Sequence, residues 1–474
     1  MLTRRHLLAG AAAAASGLAL PHPALGAPKR LKRALRAAPP GGYDTASLKL
    51  IAGKAPGDLE GVYYLNGPAR HELGGARNGH WFDGDGMVHA FRFSGGRVAH
   101  RGRYVQTTKY VAETEAGRFL YPGFGSSPTN AAGVGAPDDM NVANISVLPL
   151  EDEVLALWEG GSAYALAPVT LDTIGPKSFA PELQGAPFSA HPRIAADGTI
   201  WNFGHDPFSG RLAIYELDAS GGLKRWAMLQ GAHGMMHDFV ATERHLVFVF
   251  PPFEPARAAE TFLGRFAWKG DDARTCLVVS KATLEVVRRH ETPAAFQFHH
   301  FNASEDASGS IRFGTCSYAD DTWMQDDARA IMDGVPFNPD HAARYEHITL
   351  HGDGRTSVES DGAHAEFPVF RPEDAEARAP GWCTGMDAAG SDALVARDAD
   401  GAVRASWSAG PDTILGEHVF AGARPSRYLV GTQFDAARGR TLLSVFRADA
   451  VADGPAAIWA LPKPIPLPLH GRWG

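Results

Sequence analysis

From about residue 43 onward, apolar and polar positions alternate in short runs, the period-two signature of half-buried strands, and turn residues separate the runs. "GVYYLNG" (61–67) is a β-rich run, with Asn66 and Gly67 read as strand-end turn residues. "VHAFRFSGGRVAHRGRYV" (88–105) predicts two strands joined at Ser94-Gly95-Gly96. "ISVLPLEDEVLALWEGG" repeats the pattern with Glu151-Asp152 at its turn, and the next stretch turns at Ser209-Gly210 and at Ser220-Gly221-Gly222. Five further runs of this kind, from "DFVATERHLVFVF" to "YLVGTQFDAARGRTLLSVFRA", continue to the C-terminus. Helical periodicity is almost confined to "DDARAIMDGV" (326–335). Hairpin after hairpin predicts an all-β domain over residues 43–474. Radial repetition as a β-propeller accommodates that length in one domain. A double β-sandwich is the competing architecture.

Composition adds exclusions. The 474 residues are 45% hydrophobic and 21% charged, an ordinary globular balance, and the formal net charge of -8 argues against a nucleic-acid partner. Cys276, Cys316 and Cys383 are widely spaced without a CxxC pair and are read as buried thiols. Residues 1–27 read as an export signal. Arg4-Arg5 precede an apolar run from Leu7 to Leu20, and small residues near Ala24–Ala27 suit a cleavage site. That run is too short for a membrane span. "TRRHLLAG" resembles a twin-arginine signal, which implies a periplasmic location. Residues 28–42, with Lys29, Arg30, Lys32, Arg33 and Arg36, read as a solvated basic linker. Contact with an anionic membrane surface is the second reading of that segment.

The candidate chemistry lies in histidines. The chain has 20, and no HxH or HExxH cluster marks a local metal motif. His191 ("FSAHPRI"), His237 ("GMMHDFV"), His299 ("FQFHHFNA") and His470 ("LPLHGRW") each sit in an apolar or turn-rich frame near a strand end. Their separations are 46, 62 and 171 residues, one or more blades apart. The inner strands of a propeller converge on its axis, so such residues can meet there. Four neutral imidazoles suit iron, zinc, copper or nickel. Glu159, Glu366 and Glu417, in apolar surroundings, are candidates for carboxylates that accept the imidazole N–H and fix its tautomer. Asp83, Gly84, Asp85 and Gly86 read as a turn whose glycines supply positive φ.

At this point the chain resembles the carotenoid cleavage oxygenases. "HWFDGDGMVHAFRF" (80–93) is similar to the family's signature almost letter for letter, and "NVANISV" (141–147), "LALWEGGSAYALAPVTLDTIG" (155–175) and all four histidine contexts follow in the family's order. The resemblance implies a seven-bladed propeller, capped by loops and short helices over an iron(II) held by His191, His237, His299 and His470. It selects His299 over His300, and it assigns Glu159, Glu366 and Glu417 to His237, His299 and His470, with no such partner for His191. The implied reaction cleaves a C=C bond of a lipophilic carotenoid or apocarotenoid with O2 to give carbonyl products. No catalytic acid or base from the protein is called for. Loops at 118–125, 250–256 and 266–270 are expected to form an apolar entrance. Family members that cleave stilbenes grip the phenol with a tyrosine and a lysine. Here Tyr104 and Tyr110 are the candidates, while Met140 stands beside "NVANI" in place of lysine. Stilbene cleavage, isomerohydrolase chemistry and a non-catalytic binding propeller are the alternatives.

Overall fold

The structure is a computed structural model that describes residues 27–474. The expected export signal lies, apart from Ala27, outside the described residues. Seven antiparallel sheets of four or five strands follow one another along the chain, and their innermost strands surround one axis. Blade one holds strands Gly61–Arg70, Asp85–Ser94 and Arg97–Tyr104. Blades two to seven start at Ser146, Arg193, Phe239, Phe296, Glu366 and Thr413. The double sandwich is excluded.

The hairpins form where the turn residues placed them. Gly95 and Gly96 both have positive φ, +56° and +74°, which a two-residue turn matched to strand twist requires. The strand after them alternates as its sequence does, with Val98, His100, Gly102 and Tyr104 buried. Apolar faces of successive blades pack on each other. Val62, Tyr64 and Val88 of blade one meet Val147, Val154 and Tyr164 of blade two. The ring is closed from both chain ends. Lys49–Gly53 pairs outside Ala457–Ala460 in blade seven, and Gly471–Trp473 is the innermost strand of blade one. The chain-terminal strand therefore fixes the residue that precedes it, His470.

Three local expectations are corrected. Gly84 has φ -67°, and Gly86 is likewise outside the positive-φ region. These glycines are required by close approach: a Cβ at Gly86 would lie 2.1 Å from the Ala143 carbonyl oxygen, and one at Gly84 would lie 2.5 Å from the His71 ring. The segment before them is a short 3-10 turn, Trp81–Asp83, in which Asp83 accepts the Gly125 N–H at 3.0 Å. Asn66 is in mid-strand and does not turn the chain. Its amide donates to the carbonyls of Ala143 (2.9 Å) and Ser146 (3.0 Å) in the neighbouring blade, while its backbone pairs with His470 and Leu469. Asn66→Ala removes both bonds from a buried interface between blades. A loss of about 2–4 kcal/mol is expected, read as a lowered thermal midpoint. The segment read as a solvated linker contains a helix, Ala27–Ala34, and Leu31, Ala34 and Leu35 are buried against Ile331, Met332, Phe434 and Leu467. Their i, i+3, i+4 spacing supplies the apolar stripe that docks it.

The expected helix at 326–335 begins earlier, at Trp323, and runs as a composite turn to Asp333. With Trp81–Asp83 and the loop around Phe124 it caps one face of the propeller. Cys276, Cys316 and Cys383 are buried free thiols, as read.

Candidate metal centre

His191 and His237 each stand two residues before an inner strand, Arg193–Ile194 and Phe239–Ala241. His299 lies within Phe296–Glu305, where the pairing register shifts between Gln297 and His300. His470 directly precedes Gly471–Trp473. Four blades thus deliver four imidazoles to one point. Nε2 of His191 is 2.8 Å from that of His237, His237 is 3.3 Å from His299, and His299 is 3.1 Å from His470. All four candidate ligand atoms lie within 4.8 Å of one another.

The opposite ring nitrogens explain why these atoms face inward. Nδ1 of His299 is 2.5 Å from Glu366 Oε2, Nδ1 of His470 is 3.2 Å from Glu417 Oε1, and Nδ1 of His237 contacts Glu159. A carboxylate at Nδ1 holds the proton there and leaves the Nε2 lone pair free. Among the described residues no carboxylate pairs with His191. Burial pushes the imidazoles of His191, His237 and His299 well below their ordinary range, and the neighbouring imidazoles push them further. Neutral rings with converging lone pairs repel one another unless a cation sits between them. The donor set therefore fits a divalent metal.

Further residues hold the carboxylates. Glu366 accepts the Tyr318 hydroxyl at 2.7 Å and the Phe367 N–H at 2.6 Å, and burial pushes its carboxyl up to about 7 against those two bonds. Glu417 also accepts the Gly471 N–H at 2.8 Å, which pins the residue after His470. His300 is outside the cluster. It is 1% exposed, its ring meets Phe313 edge-on, and neither ring nitrogen has a partner among the described residues. Adjacent strand residues point to opposite faces, which separates it from His299.

Sequence reading missed Arg193. Its guanidinium donates to Asp238 (2.5 Å), to the Phe239 carbonyl (2.8 Å) and to the His300 carbonyl (3.0 Å), so it ties together the three segments that carry His191, His237 and His299. Its signal was a charged residue two positions after a ligand, inside "AHPRI". Arg193→Ala is expected to weaken metal affinity about 10-fold, as loss of a ligand-orienting neighbour does; competition with a chelator measures it.

An apolar cavity of about 220 Å³ opens onto His237, His299 and His470. Trp81, Phe82, Phe124, Trp158, Phe298 and Trp323 line it. Of the expected entrance residues Phe124 is there, stacked on Phe262 at 5.6 Å, whereas Phe253 and Phe266 stack on each other in the core behind the wall. The phenol-gripping candidates are corrected. Tyr104 gives its hydroxyl to the carbonyls of Ala38 and Ala69, Tyr110 stacks on Tyr104 under Arg70, and neither lines the cavity.

The family described as retinal pigment epithelial membrane protein, RPE65, matches residues 40–474. The chain is 30% identical to apocarotenoid-15,15'-oxygenase of Synechocystis sp. over 89% of its length and 92% of the relative's. It is 27% identical to lignostilbene-α,β-dioxygenase isozyme III of Sphingomonas paucimobilis, with the same two shares covered. The solved structure of cobalt-substituted Synechocystis apocarotenoid oxygenase superposes with a TM-score of 0.83 and 27% identity, over 94% of this chain and 99% of that one. The match from residue 40 to the last residue, together with a seven-bladed fold, places this chain in the RPE65 family of carotenoid cleavage oxygenases.

Proposed function

We propose that this protein is an iron(II) dioxygenase that cleaves one C=C bond of a carotenoid or apocarotenoid with O2, giving two carbonyl products. The observation that carries the reading is the convergence of four imidazole nitrogens at the wall of an aromatic cavity. His191, His237, His299 and His470 would hold the iron, and Glu159, Glu366 and Glu417 would orient three of them. Iron(II), when bound, supplies the one-electron chemistry that lets O2 react with an alkene. The chain's own work is to bind and orient. Flat aromatic walls hold a planar polyene, and Phe298 and Trp158 set the space beside His237 and Glu159. The apolar lining keeps water from the reacting carbons. The products need no proton from the protein, because one alkene and one O2 account for both carbonyls.

The stilbene reading has less support. Among the described residues no lysine lines the cavity, and the one tyrosine that does, Tyr318, has committed its hydroxyl to Glu366. A non-catalytic propeller has no use for three carboxylates that each orient an imidazole. The test is an aerobic screen of carotenoids, apocarotenoids and hydroxystilbenes, with iron-loaded and iron-stripped protein and product masses as readout. Cleavage of an apocarotenoid by the iron-loaded protein alone is expected.

We also propose that residues 1–27 direct export to a bacterial periplasm through the twin-arginine route. The arginine pair before an alanine-rich run supports this. Arg4→Lys with Arg5→Lys should retain the protein in the cytoplasmic fraction. No helix among the described residues is long and apolar enough to cross a membrane.

A further inference from the structure

Polar groups are unevenly placed around the cavity. The wall under the cap is aromatic, whereas the wall built by blades six and seven carries Thr384, Asp392, Thr432 and Gln433. Among the described residues three carboxylates line the cavity: Glu159, Glu366 and Asp392. The first two face ligand histidines, and Asp392 faces none. It opens strand Asp392–Arg397, opposite Met386. Its Oδ2 accepts the Leu415 N–H at 2.9 Å, and its Oδ1 has no hydrogen-bond partner among the described residues. No arginine or lysine lines the cavity, and Asp392 takes part in no ion pair among the described residues. Protein surrounds the carboxyl, yet the side chain keeps accessible surface, and that surface is cavity wall. An acceptor oxygen placed in an apolar cavity without a donor costs free energy until a ligand supplies one.

We propose that Asp392 anchors a hydroxyl at one end of the substrate, between blades six and seven, and so fixes how far the polyene advances past the metal site. This rests on the reading of the cavity as a polyene site and adds to it the substrate class, a hydroxyl-bearing one. A hydroxyl satisfies Oδ1 without bringing a second charge into an apolar space, and Thr384 and Gln433 on the same wall are neutral, their donor groups given to the Glu366 carbonyl and to the Ser444 hydroxyl. Burial pushes the carboxyl up to about 6, so above that pH it is a charged acceptor, the stronger kind. The hydroxyl can belong to the end ring of an apocarotenoid or to the phenol of a stilbene.

The test measures binding to the iron-loaded protein under anaerobic conditions, by quenching of tryptophan fluorescence. Two pairs of ligands are compared: an apocarotenal with a hydroxylated end ring against its deoxy counterpart, and a hydroxystilbene against its O-methyl ether. The wild type should bind the hydroxylated member of one pair about 10-fold tighter or more, and the identity of that pair names the source of the hydroxyl. Asp392→Leu should bring that ratio to about one, and Asp392→Asn, which keeps an acceptor oxygen, should retain part of it. A wild-type ratio near one in both pairs, or a ratio that survives in Asp392→Leu, overturns the proposal. So does an equal weakening of both members, which a residue that only holds Leu415 would produce. Admitting air to the same samples separates the two readings: a hydroxyl-dependent ratio without cleavage overturns the dioxygenase and leaves the anchor standing.

Discussion

His299→Ala is expected to lose the metal and the cleavage activity together, whereas His300→Ala is expected to keep both. The two residues are neighbours in one strand, yet only His299 brings its Nε2 to the other imidazoles, at 3.3 Å from His237 and 3.1 Å from His470. Removing it takes away one of four donors and leaves Glu366 facing an empty space. Activity should fall about 10³-fold or more, since a bound metal would supply several kcal/mol of the barrier reduction. His300 fills space against Phe313, so its removal costs stability rather than metal. His300→Leu, closer in volume, serves where the alanine variant folds poorly. Metal content per chain by elemental analysis, with cleavage rate on the same sample, reads both effects. A His300 variant without metal beside a His299 variant that retains it would place the ligand one residue further on.

The second large effect is at Glu366. It accepts from His299 Nδ1 and from Tyr318, and it receives the Phe367 N–H. Glu366→Ala frees the His299 ring to rotate and to take the other tautomer. A 10- to 100-fold loss of metal affinity is expected, the usual effect of losing a carboxylate behind a ligand imidazole. Glu366→Gln keeps the size and one acceptor oxygen and should lose less. Chelator competition gives the affinities, and Tyr318→Phe, which removes only the outer bond, should fall between wild type and Glu366→Ala.

What was legible in the chain follows from how local each signal is. Hairpins were readable because their determinants sit within a few residues, as at Ser94-Gly95-Gly96. The ligand set was not local. His299 and His470 are 171 residues apart and meet only because the last strand closes the first blade. They stood out among 20 histidines by their apolar or turn-rich frames near strand ends, and the block order shared with a family settled His299 over His300. Tyr104 and Tyr110 were misplaced because a tyrosine in a β-rich run faces either a blade core or a cavity, and blade stacking decides which. Asn66 was misread for a similar reason: asparagine next to glycine usually turns a chain, and here its amide bridges two blades. Arg193 carries only the faint mark of a charge two positions after His191, and Trp323 and Asp392 carry no local mark at all. Their positions depend on which strands of different blades lie side by side. The docked helix at Ala27–Ala34 did carry its signal, Leu31, Ala34 and Leu35 on one face, hidden within a run of lysines and arginines.

Product mass under labelled oxygen tests the proposed cleavage most directly. Iron-loaded protein given an apocarotenoid under ¹⁸O₂, with products trapped before exchange with water, should yield two carbonyl fragments, each carrying ¹⁸O, and the iron-stripped protein should yield none. An intact apocarotenoid after incubation with the iron-loaded protein, or equal cleavage without iron, would contradict it.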